Sequence, residues 1–150
     1  VLVPALRSRI VMDYHWRCLS KDTMYLFIEA DSMSPDAEAS EICDGRPGLY
    51  HIIASSPSLK SFSREVEKVL IGQSDTVMSP VPEILSDLKE PEKRDSAVVI
   101  CRRAIRQCIT DDASVRARAA GLSNFCSVIK RYPSANAEIY WSKFVLDVHS

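Results

Sequence analysis

The residues best placed to do chemistry are acids. In QCITDDASVRARAAGLSNFCSVIK, residues 107–130, an apolar run stops at Asp111 and Asp112 and an arginine-bearing stretch follows. Asp13 closes the apolar run RIVMD, and Glu65 lies within SLKSFSREVEKVLI. Carboxylates gathered at one place repel one another unless a cation sits between them. Mg²⁺ and Mn²⁺ prefer such oxygen ligands, and a bound metal can activate water and stabilise charge on a phosphoryl group. Asp13, Asp111 and Asp112 are therefore candidate metal ligands, with Glu65 a fourth candidate catalytic acid. The competing reading is structural, because aspartate at the start of a helix caps free amides and suits the helix dipole without any function.

The neighbouring cations extend the first reading. Arg102, Arg103, Arg106, Arg116 and Arg118 are candidate contacts to a nucleic-acid phosphate backbone. Charge is uneven along the chain. Asp22 to Gly45 holds acids and no Lys or Arg, whereas Cys101 to Arg131 holds seven cations against Asp111 and Asp112. That pattern predicts an acidic end and a basic end, or two solvated faces. Glu29 and Asp31, after the run MYLFI, are further acids that could reach the same edge, and His15 is the histidine nearest the proposed site and a candidate proton carrier.

Such a site needs elements to assemble it. The alternation and β-branched content of RIVMDYHW predict a strand ending near Asp13. MYLFI (24–28) reads as a strand or the start of a buried helix, and LYHIIAS (49–55) and NFCSVI (124–129) read as strands. Ser34-Pro35 and Ser56-Pro57 open helices, which Gly45 and Gly72 end. EILSDLKE reads as a short helix and EPEKRDS as an exposed loop. AVVICRRAIRQC is a helix with Ala97, Cys101, Ala104, Ile105 and Cys108 inward. Thr110 or Asp111 caps ASVRARAAG, and EIYWSKFVLDV runs from a short strand into a final helix. Alternating strands and helices predict a single α/β domain over residues 1–150, three layers around a central, mostly parallel sheet. Ligands of such sheets bind beyond the carboxyl ends of the strands, which would bring Asp13 to Asp111 and Asp112.

With its elements in that order, the chain resembles a diverged member of the PIN-domain family. The resemblance is carried by IVMDYHW, SPDAEASEICDG, HIIASSPSLKSFSREVEKVL, TDDASVRARAAGLSNFCSVI and IYWSKFVLDV. It implies a small α/β nuclease that holds Mg²⁺ or Mn²⁺ on its acids and hydrolyses RNA phosphodiester bonds. Several positions depart from the family pattern. Tyr14 and His15 stand where Thr or Ser and then Asn are expected. Glu65 is offset from a place nearer Phe62. Lys130 and Arg131 occupy the position of a last acid, and a cation there opposes metal binding.

The totals exclude some classes and leave others. The chain is 46% apolar and 26% charged with a formal net charge of −1, which argues against a wholesale nucleic-acid or membrane binder. No apolar run approaches the 18–20 or so residues that span a bilayer, so no membrane partner is expected. VLVPALRSR lacks the pattern of a signal peptide, and five scattered cysteines without zinc spacing fit reduced thiols, so a cytoplasmic, intracellular setting is expected. Two classes of function stand. One is a metal-dependent endoribonuclease acting on RNA through a site the departures have altered. The other is a non-catalytic module that binds RNA, a protein partner or a second copy as a homodimer, or a redesigned scaffold without activity.

Overall fold

Local start signals explain where each helix begins. The computed structural model describes residues 18–30, 35–73, 81–108 and 110–149. Helix α1 is Lys21–Ala30, and α2, Ala37–Ile42, is capped by Asp36, whose carboxylate accepts from the Ala39 amide at 2.9 Å. Helices α3, Pro47–Ala54, and α4, Pro57–Ile71, each carry proline in the first turn, where the missing N–H costs nothing. Ser56 caps α4, and Gly72 ends it at φ 74°, a left-handed conformation open to glycine. A 3₁₀ turn, Glu83–Asp87, precedes α5, Pro91–Gln107. Helix α6 is Ala113–Arg131 and α7 is Ala137–His149, the latter capped by Asn136 accepting from the Glu138 amide at 3.1 Å.

Helix α5 lies at the centre, packed against α2, α3, α4, α6 and the 3₁₀ turn. Its buried face is small: Ser96, Ala97, Val98, Ile100, Cys101 and Ala104. The Cys126 thiol of α6 reaches the Val98 carbonyl at 3.7 Å, and the short Cys108–Asp112 connection makes α5 and α6 an antiparallel pair. Helix α7 returns along α6, with Phe125 beside Trp141 and Gly121 beside Phe144. Trp141 is 4% exposed and meets Phe62, Phe125 and Phe144 at ring centroid distances of 5.4, 5.3 and 5.4 Å. That aromatic cluster ties α4, α6 and α7 together within one continuous core.

This architecture overturns the predicted three-layer α/β/α fold and, with it, the PIN-like arrangement of elements. All the regular structure of the described residues is helical. MYLFI lies inside α1, and LYHIIAS forms α3 and its C-terminal cap, with Tyr50 and Ile53 buried one turn apart. NFCSVI continues α6, and EIYW opens α7. Short apolar runs satisfy both periods, and neighbouring helices decide between them. In α6 the buried set Leu122, Phe125, Cys126 and Ile129 follows the helical repeat, so β-branched Val128 and Ile129 are accommodated. Gly121 does not stop that helix. EPEKRDS, read as a loop, is largely the first two turns of α5, because Pro91 suits a helix start. The predicted strand ending at Asp13, and Ser34, lie outside the described residues.

Trp141→Ala is expected to lower unfolding free energy by about 3–5 kcal/mol, since it removes the ring that three helices share. A urea melt followed by far-UV circular dichroism measures the loss; a change under about 1 kcal/mol would mean that the cluster can collapse around the gap.

Candidate functional site

Of the acids singled out above, Asp112 has a clear local role. Its carboxylate accepts from the amides of Ser114 at 2.8 Å and Val115 at 3.4 Å, so it caps α6 in place of Thr110 or Asp111. Thr110 instead accepts from the Asp112 amide at 3.3 Å, and Asp111 is an exposed residue of the bend before the helix. Glu65 is half-buried on α4, Glu29 is exposed on α1, and Asp13, His15 and Asp31 lie outside the described residues. Among the described residues, no three of His, Cys, Asp and Glu converge closely enough to hold a metal ion. Among the described residues, helices stand in place of the sheet edge that was to gather Asp111 and Asp112.

The arginines read as phosphate contacts separate into two groups. Arg103 on α5 has a side chain only 12% exposed and lies 3.2 Å from Glu67 and 3.6 Å from Glu41. Arg106 pairs with Asp44, and Arg118 donates to the Leu70 carbonyl at 3.3 Å, at the end of α4. Arg102 and Arg116 are exposed on α5 and α6. Toward α2, Arg64 forms two 2.8 Å hydrogen bonds to Glu38, and Lys60 pairs with Asp36. The acidic stretch and the cations of α4 and α5 thus lie against one another, which corrects the expectation of separate acidic and basic ends. Pairs of this kind near the surface are individually weak, and together they register α2 on α4 and α5.

These contacts perturb Asp36, and burial beside Cys126 perturbs Cys101. The Ala39 amide, and then Lys60, hold the Asp36 carboxyl below its usual value. On α5, a hydrogen bond with Cys126, reinforced by full burial, pushes the Cys101 thiol well above the ordinary range, so Cys101 packs as an unreactive thiol.

Among the described residues, an open groove of about 510 Å³ lies between α6 and α7. Phe125, Val128, Phe144 and Val148 form its apolar surface, and Ser114, Ala117 and Gly121 keep the α6 wall low. Gly121 is needed there because a Cβ would sit 2.9 Å from the Phe144 ring. Arg118, Lys143 and Asp147 stand among the lining residues, as does Tyr140, which is 41% exposed. Sequence reasoning missed this groove because it divided α6 into a helix and a strand. The signal was available in the helical repeat of Ser114, Arg118, Gly121, Phe125 and Val128, uninterrupted through the glycine.

Comparison with protein-family models, with curated proteins and with solved structures yields no match to the chain. No described helix is long and apolar enough to cross a membrane.

Two outcomes are expected from the acids. Asp112→Ala should destabilise the fold by about 1 kcal/mol in a thermal or urea melt, as loss of an N-cap does; an unchanged melt would remove the capping role. The Asp36 carboxyl, depressed in the folded state, contributes stability that is complete above the ordinary value of about 3.9 and lost as pH falls through its folded value. Asp36→Asn should therefore flatten the acid limb of the stability–pH curve below about pH 5, and an unaltered limb would show that Asp36 is not the group responsible.

Proposed function

We propose that this chain is a non-catalytic interaction module, and that its groove between α6 and α7 receives the apolar face of an amphipathic partner helix flanked by acids. The observation that carries the reading is the form of the two walls. On α6 the lining residues Ser114, Ala117, Gly121, Asn124 and Val128 recur at helical spacing, and on α7 Tyr140, Lys143, Phe144 and Asp147 do the same. Two such stripes leave the vacancy that a third helix fills with anchors at i, i+3, i+4 and i+7. Small residues on the α6 wall let its backbone approach. From Tyr140 to Val148 the α7 wall rises about 12 Å, which suits an occupant of two to three turns.

Charge narrows the occupant. Of the α6 cations Arg118 lines the groove, and Lys143 joins it from α7. Asp147 is the one anion among the lining residues. An occupant with acids beside its apolar stripe is therefore favoured, and its association should weaken with salt.

A fluorescein-labelled synthetic helix with leucines at i, i+3, i+4 and i+7 and flanking glutamates supplies the probe. Its anisotropy should rise on titration with the protein, and amide resonances of Ala117, Gly121, Asn124 and Val128 should shift. Ala117→Trp, at an exposed helical position, fills the groove and should weaken binding at least about tenfold, a loss that desolvated contacts of this kind commonly carry. Binding that is undetectable, or indifferent to Ala117→Trp in a variant with unchanged circular dichroism, would sink the proposal.

A further inference from the structure

We infer that the helix received by this groove is α1 of a second copy of the chain. The inference rests on the groove being a helix-binding site, and it names the partner. Helix α1 exposes Asp22, Tyr25, Leu26 and Glu29, which stand at i, i+3, i+4 and i+7 and so form one stripe. Tyr25 is 57% exposed and Leu26 64%, while Met24 and Ile28 on the inner face are buried in the core. The stripe is thus two large apolar side chains at the central i+3 and i+4 positions, for the groove's apolar surface, between two exposed acids at i and i+7, for Arg118 and Lys143. At ten residues α1 is about 15 Å long, matched to the α7 wall.

The ridge does not fill the groove of its own chain. Helix α1 packs chiefly on α2, whereas the groove is built by α6 and α7. Moving α1 across would withdraw Met24 and Ile28 from the core. Ridge and groove are different surfaces, and each copy offers one of each. Two copies that exchange ridges close as a two-fold dimer, and one-way docking extends into a ring or an open chain.

Two variants separate the surfaces. Ala117→Trp blocks the groove and keeps the ridge; the Tyr25→Gln, Leu26→Gln double variant removes the ridge and keeps the groove. All three positions are exposed, and circular dichroism checks folding. In sedimentation or light scattering the unaltered chain should rise above its monomer mass of 16.8 kDa with concentration, and less so at high salt. Each variant alone should remain a monomer, and an equimolar mixture should form a 1:1 pair that grows no further. A chain that is monomeric at every concentration, or variants that still self-associate, would overturn the inference. The synthetic acidic helix keeps the two readings apart. If it binds the double variant while the unaltered chain stays monomeric, the groove reading survives and self-association does not. If it fails to bind the double variant, the groove reading falls too, and any association must use another surface.

Discussion

Small side chains on the buried face of α5 are the constraint on which the other helices depend. Ala97, Cys101 and Ala104 are at most 2% exposed, and with Val98 they present a low surface to α4 on one side and α6 on the other. A helix packed on so many sides needs neighbours that approach closely, and interaxial distance is set by the side chains between them. Polar atoms on that face are satisfied locally. The Ser96 hydroxyl donates to the Glu92 carbonyl at 2.8 Å, so its complete burial leaves no orphaned group. With α6 held against α5, the short turn after Arg131 returns α7 along α6, and Trp141 enters the space between α4 and α6.

Electrostatics acts on this frame as a matter of register. Asp36, the N-cap of α2, with Glu38, Glu41 and Asp44 from α2 and its C-terminal turn, project toward Lys60, Arg64, Arg103 and Arg106. Most of these pairs are solvent-accessible and individually weak. Their collective effect is to orient a six-residue helix that buries little besides Ala39 and Ile42. The same pairing engages cations that would otherwise form a basic surface, and two others, Arg118 and Lys143, line the groove.

Groove and core share residues. Phe125 and Phe144 are 3% and 5% exposed, pack on Trp141 and also line the groove. The concavity therefore rests on a rigid aromatic base rather than on a loop, and Gly121 and Ala117 keep it open because neither side chain reaches across.

Punctuation was legible in the sequence. Ser56-Pro57, Gly72 and the start at Asp111-Asp112 mark helix ends by backbone chemistry alone, since capping and φ > 0 are properties of single residues. The inward set on α5, Ala97, Cys101 and Ala104, was also readable from its spacing. What the chain does between those marks was not, because runs such as LYHIIAS and NFCSVI carry both β-branched propensity and a helical repeat. Their choice depends on what they are buried against: Tyr50 and Ile53 against the α5 hub, Phe125 and Ile129 against the shared core. Charge segregation along the chain was equally visible, yet it does not reveal that Glu41 meets Arg103. Residue types and local punctuation belong to the sequence by itself. Helix over strand, the neutralised charge and the groove between α6 and α7 were decided by tertiary packing, because each depends on residues distant in the chain becoming neighbours.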